Sequence, residues 1–152
     1  MKAFEFRLQT KLDLTIQQEE VAKEEVRKRQ AVYDTEYDLL STMLDLMAEL
    51  HDRLRAKKGQ SLKVDEVIVL NNFIKVLKTN IENQEMVVSE AERALELSRE
   101  TLLQIMKERK TLEKLKENEY KEYMLEFMRL EQVVIDELAI GRHKRNEANK
   151  SE

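Results

Sequence analysis

The 152-residue chain contains no proline and only two glycines, Gly59 and Gly141. Tight reversals of a polypeptide depend on residues that impose or tolerate unusual backbone angles, and these two residue types supply most of them. A sheet with its hairpins, or a bundle of short helices, needs more turns than this chain can make. Long helices remain. Ala, Leu, Glu, Lys, Gln, Arg and Met, all strong helix formers, fill most positions. Apolar residues make up 41% at regular spacing, which excludes a disordered acidic chain.

Gly59, in RAKKGQSLK, is the only glycine in the body of the chain. The basic residues before it favour a helix C-terminus, the glycine suits the left-handed position that follows, and Ser61 can cap the next helix. The expected fold is therefore all-α, a long two-helix antiparallel coiled-coil hairpin with a longer C-terminal helix. It forms a single domain over 1–152, with helix one over about 4–57, the turn over about 58–61 and helix two over about 62–140. Gly141 ends the second helix by the same logic, leaving a polar tail over 141–152.

Slots spaced alternately three and four residues apart test the coiled-coil pattern. From Val67 they are Val67, Leu70, Ile74, Leu77, Ile81, Gln84, Val88, Ala91, Leu95, Ser98, Leu102, Ile105, Arg109 and Leu112, and eleven of the fourteen are apolar. Such a run specifies a left-handed seam. The first helix offers Leu8, Leu12, Thr15, Glu19, Ala22 and Val26, a weak seam. After a shift of about four residues it continues as Tyr33, Tyr37, Leu40, Leu44, Met47, His51 and Leu54. Glu19 to Lys23, Glu24 to Lys28 and Glu25 to Arg29 are i,i+4 pairs in the favourable order and support a solvated helix where the seam is poor.

At about 1.5 Å per residue, helix one is ~80 Å long and helix two ~115 Å. Folding about Gly59 sets residue 4 opposite roughly 115 to 120 and leaves the end of helix two beyond the N-terminus. The seam restarts there, displaced, as Tyr120, Tyr123, Phe127, Leu130, Val134 and Leu138. An overhang with its own apolar stripe needs something to pack on. The opening FEFRLQ alternates apolar and polar residues at a period of two, but no other segment offers it a partner strand. It reads as a helix start in which Phe4, Leu8 and Leu12 share a stripe and Phe6 lies beside it.

Near the expected turn a second apolar line, Leu39, Met43, Leu46 and Leu50, runs beside the first, and Phe73 and Val76 flank the seam of helix two at the same level. A two-stranded coil buries one stripe. Two readings stand open: Val64, Val67 and Val69 fold over the second line, or it meets another protein.

The chain offers little for chemistry. It has no cysteine, which removes disulfides, thiolate ligands and thiol nucleophiles together and fits a reducing compartment. His51 and His143 have no Cys or His at ligand spacing. The acidic cluster EEVAKEE reads as a solvated helix face, and Tyr120 and Tyr123 read as packing residues. There is no glycine-rich phosphate loop and no nucleophilic triad. No enzyme, cofactor or metal is expected. No apolar run approaches the roughly 20 residues that span a bilayer, and MKAFEFRLQTK lacks the apolar core of a signal peptide, so a cytoplasmic protein is expected. The net charge of −4 is interspersed and predicts no nucleic-acid partner.

FEFRLQTKLDL at one end, with ERKTLEKLKENEYKEY and LEQVVIDELAIGRHKR towards the other, resembles the FliJ family of flagellar type III export stalk proteins. The family shows an aromatic-x-aromatic-x-Leu start, a Lys-Leu-Glu-Lys-Leu stretch and a closing Glu-Gln-x-x-x-Asp-Glu signature, and the resemblance covers the whole chain. It implies a cytoplasmic, non-enzymatic antiparallel coiled coil, peripheral to the inner membrane at the flagellar base through its partners. Those partners are the hexameric flagellar export ATPase, whose assembly and activity the family promotes, the cytoplasmic domain of the export gate, and export chaperones. The implied gate-contacting positions are Leu39, Met43, Leu46 and Leu50 on helix one and Phe73, Leu77, Asn80 and Gln84 on helix two. The implied ATPase-facing end comprises Phe4, Phe6, Leu8, Tyr120, Tyr123, Phe127, Leu130 and Val134. The stalk of a virulence-type secretion system, a generic coiled-coil scaffold and an export chaperone are the alternatives.

Overall fold

The structure, a computed structural model, describes residues 2–58 and 63–148. It is all-α, with two long helices packed against each other: α1 spans Gln9–Lys58 and α2 spans Val64–Ala148. No strand occurs among the described residues. The expected turn residues Gly59 and Ser61 lie outside the described residues. α2 opens with Asp65 and Glu66, which place negative charge at the positive end of the helix dipole. No described helix is long and apolar enough to cross a membrane.

Contacts divide the chain into two units, one of residues 18–105 and one of residues 1–17 with 106–152. In both, partner numbers on α2 rise as those on α1 fall, as in an antiparallel pair. Gln84 meets Glu36 and Arg99 meets Gln30 in the first unit. Lys11 meets Glu108 and Gln9 meets Lys116 in the second.

In the unit of residues 18–105 the core is Leu50, Leu77 and Ile81, with Leu40, Met43, Met47, Leu70 and Ile74 packed against it. Every predicted α2 slot from Val67 to Ile105 is buried or half-buried. The α1 side differs from expectation. Its inward positions are Tyr33, Glu36, Leu40, Met43, Met47, Leu50 and Leu54, while Tyr37, Leu44 and His51 face outward. There is no four-residue shift. The spacing of three and four carries straight through Glu36, whose polar side chain is accommodated because Gln84 donates to its carboxylate at 2.6 Å and to its backbone carbonyl at 3.0 Å.

The weak first half of α1 is inward-facing all the same, because its polar slots are locally satisfied. Glu19 is buried and salt-bridged to Lys23 at 3.2 Å. The predicted Glu25–Arg29 pair forms at 2.8 Å, whereas Glu24 bonds Arg27 at 3.1 Å.

In the other unit the core is Phe6, Leu12 and Leu112, with Phe4 and Leu8 packed on it. Thr15 is buried here and donates to the Lys11 carbonyl at 2.8 Å. Residues 2–6 are not helical; α1 is entered through a turn in which the Gln9 amide donates to the Phe6 carbonyl at 3.0 Å. The expected helix start at residue 4 is thus corrected to Gln9. Burial alternates at a period of two, with Phe4, Phe6 and Leu8 inward and Glu5 and Arg7 outward. On a helix, residues two apart point to nearly opposite sides, so both phenylalanines reach α2 only because this segment is not helical. The α2 seam is not displaced near residue 120 either. Lys116, Glu119 and Tyr123 are half-buried at regular spacing and Tyr120 lies outward.

α2 also continues through Gly141 to Ala148, so the predicted end of helix two at about 140 is corrected. Gly141 has no positive φ and a Cβ there would touch nothing within 4 Å. The residues that follow, Arg142, Lys144 and Arg145, are good helix formers suited to a helix C-terminus.

Candidate functional site

The aromatic cluster that closes the terminal unit forms one boundary of the candidate site. Phe4 meets Tyr120 edge-on with ring centroids 5.2 Å apart and Tyr123 at 5.6 Å. Tyr123 stacks with Phe127 at 6.4 Å, and its hydroxyl donates to the Lys2 carbonyl at 3.1 Å. Aromatic pairs of this kind contribute about 0.5–1.5 kcal/mol beyond the area they bury. The N-terminal segment is therefore docked across α2 at Tyr120 and Tyr123.

Beyond that cluster no described residue covers α2. Every described residue from Met128 to Glu147 is exposed, including Met128, Leu130, Val133, Val134, Ile135, Leu138 and Ile140. Phe127, Leu130, Glu131, Val134 and Ile135 line a shallow hollow on this face. So many exposed apolar side chains on one helix make this face a candidate interaction surface. Of the residues assigned to the terminal end, Phe6 is buried in the core and Leu8 is half-buried against it. Phe4, Tyr123 and Phe127 are half-buried, and Tyr120, Leu130 and Val134 are exposed. Met128 and Ile135, absent from the expected set, flank this face, and their seven-residue spacing was the signal for them. The charge beside it is ordered by ion pairs: hydrogen bonds from Lys121 and Lys114 hold the Glu117 carboxyl below the usual carboxylate range.

The second candidate surface lies in the other unit. Leu39, Leu46, Phe73 and Asn80 are exposed there, and Val76 extends the patch. The remaining four assigned positions turn inward: Leu50, Leu77 and Gln84 are buried between the helices and Met43 packs on the same core. They face the neighbouring helix because they occupy its seam slots. The second apolar line is accordingly split, half seam and half surface. Val64 and Val69 are themselves exposed, so they do not cover it.

In the same unit hydrogen bonds to Glu20 and Glu19 hold the Lys23 ammonium above its ordinary range. Among the described residues no group of three or more His, Cys, Asp or Glu converges as a metal site would require. What the two surfaces offer chemically is apolar area and hydrogen-bonding groups.

A family model described as Flagellar FliJ protein matches residues 4–148. No curated protein and no solved structure matches the chain.

Proposed function

The chain belongs to the FliJ family, the stalk proteins of flagellar type III export, and on that premise we propose that it is a non-enzymatic activator of the flagellar export ATPase. The uncovered end of α2, with Tyr120, Tyr123, Phe127, Leu130 and Val134, enters the hexameric ring and promotes its assembly and turnover. The patch of Leu39, Leu46, Phe73 and Asn80 contacts the cytoplasmic domain of the export gate, and export chaperones are further partners. The protein acts in the cytoplasm, peripheral to the inner membrane at the flagellar base.

The observation that carries this reading is the exposure of an apolar helix end over residues 128–147, which no described residue covers. The family match supports a partner within the flagellar export machinery. ATP hydrolysis by the cognate flagellar export ATPase, measured with saturating protein where rings assemble, is expected to rise. The Leu130→Asp, Leu138→Asp double variant is expected to lose the stimulation while keeping its helicity. An unchanged rate with the native protein overturns the activator role, and full stimulation by the double variant moves the contact elsewhere.

A further inference from the structure

Phe127, Leu130, Val134, Leu138 and Gly141 follow one another along α2 at spacings of three, four, four and three. This pattern reads the same from either end and is centred on Val134. We propose that this face is also a self-association site, on which two copies of the chain pair antiparallel about a two-fold axis at Val134.

An isologous contact requires a self-complementary surface, and a palindromic stripe provides one. In this register Val134 meets Val134 of the second copy, Leu130 lies level with Leu138, and Phe127 lies level with Gly141. The hollow already described supplies a receptacle. Phe127, Leu130, Glu131 and Val134 occupy positions i, i+3, i+4 and i+7, the four corners of a hole that receives one side chain of a facing helix. Leu138 of the second copy stands opposite that hole.

The glycine gains a reason. Within one chain nothing calls for Gly141, which sits inside a helix, has no positive φ and has open space around it. A mid-helix glycine costs about 0.5–1 kcal/mol relative to alanine. Opposite the large ring of Phe127, a missing Cβ lets the two backbones approach.

Charge selects the antiparallel orientation. Residues 117–137 carry seven acidic and two basic side chains, whereas Arg142, Lys144 and Arg145 cluster just beyond. Antiparallel pairing brings that basic cluster level with residues 123–126 of the second copy, with Lys144 on the same flank as Glu122 and Glu126. A parallel pair would set basic against basic. The partner the observations favour is therefore a second copy of this chain, which would compete with any other occupant of the face.

The absence of cysteine from the native sequence makes the register directly testable. The purified full-length protein is expected to shift from monomer to dimer in sedimentation velocity as concentration rises, and Val134→Asp is expected to remain monomeric with native helicity. Under mild oxidation Val134→Cys is expected to become a disulfide-linked dimer. Leu125→Cys, at a more exposed position on the opposite side of the helix, is expected to stay near background. A native protein that stays monomeric at every concentration overturns the proposal. So does a dimer in which the two cysteine variants cross-link equally. Neither readout involves the export ATPase, so the outcome is independent of the activator reading.

Discussion

The side-chain amide of Gln84 donates both to the carboxylate of Glu36, at 2.6 Å, and to its backbone carbonyl, at 3.0 Å. This polar pair lies next to the aliphatic core of Leu50, Leu77 and Ile81, and its two hydrogen bonds hold Gln84 level with Glu36. Gln84→Ala removes the donor and leaves a half-buried carboxylate facing the seam, a loss of about 1–2 kcal/mol. Urea unfolding followed by circular dichroism measures it. Replacing both residues by leucine is expected to raise the melting temperature while loosening the register, since a single polar pair in an apolar seam chiefly fixes alignment.

Leu46 and Leu50 lie one turn apart but in different surroundings, 37% and 5% exposed. An aspartate at position 46 can keep its hydration, so Leu46→Asp is expected to leave the stability within about 0.5 kcal/mol of native. Leu50→Asp buries a charge against Leu77 and Ile81 and is expected to cost at least about 2–4 kcal/mol. Thermal melts of the two variants side by side measure the difference. Comparable losses would sink the assignment of Leu46 to a partner surface.

Phe6 joins Leu12 and Leu112 in the terminal core, and Phe4 beside it reaches Tyr120 and Tyr123. Phe6→Ala removes a side chain whose truncation in a core typically costs 3–5 kcal/mol. The segment over residues 2–8 is expected to detach. Hydrogen exchange should then speed up at residues 9–15 and 112–123 while the amides around Ile81 and Leu50 keep their protection, as expected when stability is local.

Gly141→Ala adds a methyl group where nothing lies within 4 Å. The isolated chain at low concentration is expected to gain helix, by about 0.5–1 kcal/mol at that position. Far-ultraviolet ellipticity of the dilute variant checks it, and a fall in helicity would show that α2 stops before this residue in solution.

Two ion-paired groups set opposite pH limits. Hydrogen bonds to Lys121 and Lys114 lower the pKa of Glu117, so its contribution is present above the unfolded carboxylate value of 4.5 and is lost as pH falls through the lower folded value. The bonds from Glu20 and Glu19 raise the pKa of Lys23, so its contribution holds below 10.5 and is lost as pH rises through the higher folded value. Both groups lie at the surface, their side chains 38% and 48% exposed, and the effects are small. Glu117→Gln is expected to flatten the acid limb of a helicity titration and leave the alkaline limb unchanged.

The aliphatic slots of α2 from Val67 to Leu112 were legible because their period is carried by apolar residues. What sequence reasoning missed lies where polar residues hold the same slots. Glu36, Lys116 and Glu119 continue the three-and-four spacing, but a search for apolar residues steps to Tyr37 and Tyr120 and registers false shifts. The misassignment of Leu50 and Met43 to an outer stripe follows from the same step. Phe4 and Phe6 were misread for the opposite reason: their period-two pattern was genuine, but without a strand to pair with it had no evident use. Its use is to aim two rings at a helix more than a hundred residues away in sequence. The uncovered end of α2 was foreseen from unequal helix lengths, and its extent beyond Gly141 was not, because a glycine there reads as a stop.

The docking of the Lys2 carbonyl on the Tyr123 hydroxyl bears on how the protein can be handled. Anything fused ahead of Lys2 is delivered to the threshold of the bare apolar face, where a bulky tag would shield Phe127 and Leu130 from whatever approaches them. Labels for binding measurements on this face therefore do not belong ahead of Lys2.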